Sequence, residues 1–440
     1  MNQPPVIPLR GLNGKPSAEV LAKLDRSWRP RYLMLAPHRL GFFLAMVLLV
    51  VAGAWWALVQ FDRMSAALGL SYALSPSLVH GAVMTFGFIP LFFSGFLFTA
   101  GPKWLDVRPH EISRLAVPML LQAAGWLLWL AAAHLNANLA IAALALAWSG
   151  LAWMTLLFWQ LIRRSRMADR LHALTIGAGC IVGCLSLAGL ALSLAVNAYA
   201  VALACVLTGL WGFVLLVYVS VAHRMIPFFT SGAVPLMDAW RPFWVLWLML
   251  VVAAVEVAAA WVDARGPLQG FAGTAWVLGR GIFELLAGGL LLWLALAWGL
   301  AESLKNRLLA MLHIGFSWLG LSLTLGGVAH LLGWAQGAAV LSLGALHALT
   351  MGCLASLMLA MVTRVSCGHS GRALVADDII WSLFWLLQAA TLLRIAAAAQ
   401  SALSGGLLLA AALLWAAIMA VWGLRLGGWY GRLRADGRAG

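Results

Sequence analysis

The chain alternates between long apolar stretches and short polar segments. Twelve stretches are long enough to cross a bilayer, because about 20 apolar residues span roughly 30 Å of hydrocarbon. The predicted spans cover residues 41–61, 76–100, 114–134, 138–162, 171–194, 197–222, 242–262, 276–300, 308–332, 338–363, 379–399 and 403–424. This pattern predicts an all-α polytopic membrane bundle, in which each helix satisfies its own backbone hydrogen bonds.

Basic residues lie almost entirely on one side of these spans. Of the 28 Lys and Arg residues, 24 precede the first span, follow the last, or lie in the loops on the side of the two termini. The opposite side has only Arg63 and Arg265, and Arg280 and Arg394 lie within spans. Loops rich in Lys and Arg remain in the cytoplasm. Both termini are therefore predicted to be cytoplasmic.

Three parts follow from this topology: a cytoplasmic tail at 1–39, a twelve-span membrane domain at 40–425 and a basic cytoplasmic tail at 426–440. Within the first tail, residues 18–28 combine apolar and basic positions, which is typical of a short helix lying on the membrane surface. A solvated tail is the alternative. No cleavable signal peptide is expected, so the first span should remain as an anchor.

Composition excludes a soluble enzyme and a nucleic-acid partner. Hydrophobic residues make up 64% of the chain and charged residues 10%, far from the values of a soluble domain. The net charge of +14 is explained by membrane orientation and by attraction to the lipid bilayer. No Cys-x-x-Cys-His, Walker loop or dinucleotide fingerprint occurs. Electrons for any redox chemistry would therefore come from the membrane or from a partner.

Ten histidines are the main chemical feature of so apolar a chain. An unpaired polar group in hydrocarbon costs several kcal/mol, so each buried imidazole needs a partner or a ligand. Four of them lie near predicted span ends and are expected to be interfacial: His38, His110, His134 and His330.

His80 and His347 lie in the outer parts of the second and tenth predicted spans. Two imidazoles from facing helices commonly hold a b-type haem. Gly87 and Gly344 lie near them, and the missing side chains could leave room for a flat macrocycle. The alternative is that each histidine only hydrogen-bonds a neighbouring helix.

His172, His223 and His313 lie near the cytoplasmic ends of their predicted spans. Neutral imidazole suits copper, zinc and iron, so three converging histidines could form a metal site. Cys180 and Cys184 follow His172 on roughly the same stripe and would favour copper(I) if they joined it. Alternatively, both cysteines are small buried hydrophobic residues.

Glu256 and Glu284 are acidic residues inside the predicted spans, and Arg280 precedes Glu284 by one helical turn. Such groups either form a structural ion pair or conduct protons, here from the outer surface. Three basic residues at the inner boundary could contact haem propionates or lipid phosphates: Arg224, Arg364 and Arg372.

One short segment occurs twice. Residues 172–177 read His-Ala-Leu-Thr-Ile-Gly, and residues 347–352 read His-Ala-Leu-Thr-Met-Gly. The two copies begin spans that run in opposite directions, as in the inverted repeats of transporters.

Several motifs resemble the NnrS family of bacterial inner-membrane proteins. The resemblance is carried by the segments 346–352, 361–365, 368–372, 223–230 and 313–318, and it covers about residues 38–425. The second span of the family usually reads His-x-His-Glu-Met before Phe-Gly. Here it reads His80-Gly-Ala-Val-Met84-Thr-Phe86-Gly87. The second histidine and the glutamate are absent, so no role of that pair is carried over.

The resemblance implies a multi-pass protein of the bacterial inner membrane that contains haem and copper and responds to nitric oxide. One expectation is an enzyme that reduces nitric oxide with electrons from quinol or a redox partner protein, with haem b at His80 and His347 and protons delivered by Glu256 or Glu284. The adjacent His-His pair of the haem-copper nitric oxide reductases is absent. The alternatives are a carrier or assembly protein for metal or haem, and a sensor that binds nitric oxide without turnover.

Overall fold

The computed structural model describes residues 27–235, 237–266, 268–341, 343–399 and 401–436. Within these ranges the chain is helical and contains no strand. Twelve helices within the described ranges are long and apolar enough to cross a membrane, which confirms the predicted all-α membrane bundle. We label them α1 (Pro37–Ser65), α2 (Pro76–Leu105), α3 (Ile112–Leu135), α4 (Ala137–Arg164), α5 (Leu171–Ala195), α6 (Tyr199–Ser231), α7 (Phe243–Ala264), α8 (Gly270–Ala297), α9 (Arg307–Gln336), α10 (Gly344–His369), α11 (Asp378–Ala399) and α12 (Ser404–Tyr430).

The two ends of the described chain lie together. Trp28 Nε1 donates to the carbonyl of Gly427 at 3.2 Å, and Arg39 Nη1 donates to the carbonyl of Tyr430 at 3.2 Å. We call this face the terminal side. The helix α12 continues to Tyr430, past the predicted start of a tail at 426. Most of the surface helix proposed for residues 18–28 lies outside the described residues.

The packing of the helices repeats every four helices, which divides the bundle into three units: α1–α4, α5–α8 and α9–α12. Within each unit the first helix packs on the second, as in α1 with α2, α5 with α6, and α9 with α10. Between units α4 packs on α5, α8 on α9, and α12 on α1. The helices α2, α6 and α10 are among the most buried of the bundle. In an apolar stretch of 18 residues of each, 78%, 67% and 72% of the residues are buried, so these helices line the interior. Helices four apart run in the same direction, so the similar segments at His172 and His347, on α5 and α10, do not occupy equivalent places.

All three interior helices depart from regular α geometry. The helix α2 is interrupted at Gly87, whose backbone has φ −78° and ψ −89°. A wider π-helical turn occurs at Leu210–Leu215 in α6 and at Ala348–Ala355 in α10. Such insertions are rare and occur frequently at functional sites. The second π segment begins immediately after His347, which places that residue at an irregular point of the bundle.

Candidate functional site

The first candidate site lies on the opposite side of the bundle, around His80. Its imidazole stacks on the indole of Trp56, with ring centroids 3.9 Å apart and an interplanar angle of 16°. Arg63 covers the same indole, with its guanidinium carbon 5.5 Å from the ring centroid. Stacking therefore fixes the plane of the His80 ring. The Nδ1 atom of His80 is buried and has no hydrogen-bond partner in the part of the chain that the structure describes.

His347 faces the same region from α10. Its Nδ1 donates to the carbonyl of Leu343 at 2.8 Å, so the neutral ring has its lone pair at Nε2. This backbone contact is the usual way in which a metal-binding imidazole is oriented. His80 and His347 lie close enough for their charges to interact, and Arg394 on α11 acts on both. The structure thus places both predicted histidines within electrostatic reach of Arg394.

The glycines near these histidines do not leave open space, so that part of the prediction is wrong. A Cβ at Gly87 would lie 2.4 Å from the Val83 carbonyl oxygen, which shows that glycine is needed for the helix interruption. A Cβ at Gly344 would lie 3.6 Å from side chains of Ile395, Leu325 and Leu341. Both positions are packed against protein.

Arg224, Arg364 and Arg372 lie near the terminal side and cannot share one cofactor with the histidine pair. Seventeen residues separate His347 from Arg364, which at 1.5 Å per residue is roughly 25 Å. Each arginine instead covers an aromatic ring: Trp104 at 5.2 Å, Phe229 at 4.0 Å and Trp429 at 4.3 Å, respectively. One haem cannot contact all five predicted cofactor residues.

A second pair of histidines lies on the terminal side. His172 and His223 form a hydrogen bond between Nε2 and Nδ1 at 3.0 Å, and Nε2 of His223 contacts the carbonyl of Pro242 at 3.1 Å. Because a carbonyl only accepts, His223 donates from Nε2 and accepts at Nδ1 from His172. This order leaves Nδ1 of His172 as a lone-pair acceptor. That atom is buried, and no described residue donates to it.

His313 does not join this pair. Its Nε2 contacts Thr230 Oγ1 at 2.9 Å, while that hydroxyl donates to the carbonyl of Ile226. His313 is therefore the donor to Thr230. Cys184 contacts the Thr155 hydroxyl at 3.4 Å, and Cys180 is buried. Among the residues that the structure describes, no group of three His, Cys, Asp or Glu side chains could hold a metal ion.

The acidic residues form one network with Arg280 on α8. The guanidinium donates to Glu256 on α7 at 2.7 Å, to Glu284 at 2.9 Å and to Asp263 at 3.1 Å. Glu284 also accepts from Nδ1 of His330 on α9 at 2.9 Å. Side chains of Glu256 and Glu284 are only 4% and 3% exposed, whereas that of Asp263 is 60% exposed. The network joins three helices and reaches from the surface into the bundle.

Three features of these sites were not predicted from the sequence. His330 was expected at the interface, but it is a member of the acidic network. His38 was also expected there, but its side chain is buried and its ring lies 4.3 Å from that of His369. Arg394 was noted only as a charge inside a span. Its depth in an apolar helix was a usable signal, since such charges commonly mark functional sites.

These observations define a multi-pass membrane protein with paired histidines on both sides of a twelve-helix bundle and a buried acidic network. The chain belongs to the NnrS family: the family described as NnrS protein matches residues 32–434. Membership suggests a role in the nitric oxide response. No curated protein shows a significant match to the sequence.

Proposed function

We propose that this protein holds haem between His80 and His347 and reduces nitric oxide with electrons from membrane quinol. The observation that supports the proposal is that two imidazoles on interior helices lie within electrostatic reach of one another. Nδ1 of His80 is also buried without a partner among the described residues. The proposal includes a bacterial inner membrane with the terminal side facing the cytoplasm, as the distribution of basic residues predicts.

The donor set of this site suits a macrocycle better than a bare ion. Zinc and copper sites need three or four protein ligands. The structure offers His80 and His347 here, and no third metal-binding side chain joins them within the described residues. Haem needs only one or two axial ligands, because the macrocycle supplies four nitrogen atoms itself.

Arg394 would replace the three terminal-side arginines as a partner of the haem carboxylates. It lies within electrostatic reach of both histidines. Arg394 forms no ion pair with a carboxylate among the described residues, although a charge inside an apolar helix normally pairs. A carboxylate at this position would supply the missing partner and would be oriented by the guanidinium.

The two histidines are held differently, and this difference suits substrate binding. The contact between Nδ1 of His347 and the Leu343 carbonyl orients that imidazole, which would hold haem through Nε2. His80 stacks on Trp56, and its Nδ1 has no partner among the described residues. Bound haem supplies an iron that binds nitric oxide and accepts electrons. His80 would move aside for the substrate, and His347 would stay.

Glu256 and Glu284 would supply protons from the opposite side. Asp263 is the exposed end of their network and His330 lies beyond Glu284, at 31% side-chain exposure. The Oε1 atom of Glu256 is buried and has no hydrogen-bond partner among the described residues, so it would be free to carry a proton. On the terminal side, Nδ1 of His172 and Nδ1 of His313 are both buried without a partner among the described residues. No group of three possible ligands forms there within those residues, so we derive no copper chemistry from them.

The test is nitric oxide consumption by the purified protein in anoxic liposomes with a short-chain quinol. We expect nitric oxide loss accompanied by one nitrous oxide for every two molecules consumed. Full haem content without consumption would replace the reductase by a sensor. A protein that binds no haem at the histidine pair, yet moves a metal or haem across the bilayer, would be a carrier.

A further inference from the structure

A cleft on the terminal side is lined by three arginines, and we call it the arginine cleft. It lies where the loop between α2 and α3 meets the end of α4 and the loop that follows, and its volume is about 590 Å³. The lining residues are Asp106, Val107, Arg108, Arg164, Arg166 and Met167. All three arginines are exposed, so a ligand can reach them without any movement of the bundle.

Buried hydrogen bonds hold the two loops of the cleft together. Ser165 Oγ donates to the carbonyl of Leu105 at 2.6 Å, and Ser165 is 5% exposed. His110 is also buried, and its Nε2 donates to the carbonyl of Leu157 at 3.1 Å. A hydrogen bond inside a protein is stronger than the same bond in water. Each loop is therefore anchored to the helix that precedes the other loop.

These anchors fix the backbone of the three arginines. Arg164 and Arg166 flank Ser165, and Arg108 lies two residues before His110. Every arginine of the cleft is thus within two residues of a buried anchor, although their like charges repel one another. A ligand that binds to groups already held in place loses less conformational freedom on binding.

The guanidinium groups of the cleft have no protein partner. Within the described residues, the side chains of Arg108, Arg164 and Arg166 form no hydrogen bond and no ion pair. Asp106 also lines the cleft, but its carboxylate pairs with none of them. A guanidinium presents its donors in a planar fork that matches phosphate oxygens. Three such groups on one cleft therefore form a site for phosphate.

The charge and the walls of the cleft favour a lipid with two phosphate groups. The three arginines and Asp106 give a net charge of +2, which two phosphodiester groups balance. Val107 and Met167 add an apolar wall, and Met167 is 44% exposed. A free inorganic anion gains nothing from such a wall, whereas the glycerol and upper acyl chains of a lipid do. Arg164 is the last residue of α4, which places the cleft at the depth of the headgroups.

We propose that the arginine cleft binds an anionic phospholipid with two phosphate groups. The guanidinium groups of Arg108, Arg164 and Arg166 would donate to the phosphate oxygens, with the glycerol against Val107 and Met167. Basic pockets at the cytoplasmic ends of membrane helices bind lipids of this class. This site goes beyond the proposed function, because neither His80 nor His347 lines it.

The test is a titration of the full-length protein in neutral detergent with cardiolipin, followed by native mass spectrometry. Arg108→Gln and Arg164→Gln should each weaken binding about tenfold or more, because a hydrogen bond to a charged group is lost. The matched control is Arg163→Gln, which removes the same charge from the preceding residue of α4. Arg163 is exposed and does not line the cleft. Its loss should change the affinity less than about twofold, since only long-range attraction is removed.

The replaced side chains are exposed and unpaired, so each variant should keep the helix content of the natural protein by circular dichroism. Equal weakening in Arg163→Gln and Arg164→Gln would overturn the proposal, because binding would then depend on the general charge of this side. Unchanged affinity in both cleft variants would also overturn it. Displacement of cardiolipin by millimolar inorganic phosphate would replace the lipid by a soluble anion. Protein without haem should bind cardiolipin equally well, so a failure of the haem site would leave this result intact.

Discussion

Arg280 is the centre of the acidic network, and its removal should destabilise the bundle strongly. In Arg280→Met the side chain keeps most of its length and loses its charge. Glu256 and Glu284 then remain in the interior, each less than 5% exposed, without their cation. Breaking a buried ion pair by removing one partner costs about 3–5 kcal/mol. Asp263 adds little to this loss, because its side chain is 60% exposed.

The position of the network adds to this expectation. The helices α7 and α8 make few other contacts with one another, so the bonds from Arg280 to Glu256 and Asp263 are a large share of what joins them. The assay is the free energy of unfolding in mixed micelles, measured by titration with a denaturing detergent.

Arg307→Gln is the matched control. Arg307 also pairs with a carboxylate, that of Asp378 at 2.7 Å, but the two side chains are 44% and 92% exposed. An exposed pair contributes about 0–1 kcal/mol. Replacing Glu256 and Glu284 by Gln in the Arg280→Met background should recover part of the loss, since no buried charge then remains unpaired. Equal, small losses in Arg280→Met and Arg307→Gln would refute the reasoning.

Three further predictions concern topology, protons and pH. Reporter fusions after Leu135, Ala195 and Gln336 should be active outside the cytoplasm, and a fusion after Arg166 inside it; reversal at two sites would contradict the orientation. Replacing both Glu256 and Glu284 by Gln should lower nitric oxide turnover several-fold at constant haem content, because the carboxyls can no longer relay protons; unchanged turnover would leave them structural. Burial lowers the pKa of His110 from its usual 6.5, so the unfolded chain binds more protons and stability should fall as pH drops below about 6.5. In His110→Gln the pH dependence of the unfolding free energy should be shallower, and an identical slope would count against this assignment.

Much of the fold could be predicted from hydropathy alone, because only a helix satisfies its backbone inside lipid. The limits of the helices were harder to place. The helix α10 begins at Gly344 rather than 338, since short apolar loop residues have the same hydropathy as a span. The irregular turns at Gly87 and after His347 also had no signal in the pattern, because side-chain packing rather than composition decides them.

The candidate sites were predictable in part. His80 with His347, and His172 with His223, were expected to be neighbours from their depth in the bilayer. The structure joins His172 and His223 by a hydrogen bond and places His80 within electrostatic reach of His347. Depth alone could not separate His313 from His172, because it does not tell which way a side chain faces. The contact of His38 with His369 joins α1 to α10. It depends on the packing order of the helices, which hydropathy does not contain.

The central claim is that His347 anchors haem and His80 is its replaceable partner, and the optical spectrum of the purified protein tests it most directly. The natural protein should show six-coordinate, low-spin haem b. His80→Ala should retain the haem and become five-coordinate, whereas His347→Ala should lose most of it, and the control His134→Ala should leave the spectrum unchanged. Spectra unaltered in both site variants, with haem lost instead in His223→Ala or His313→Ala, would contradict the account and move the haem to the terminal side.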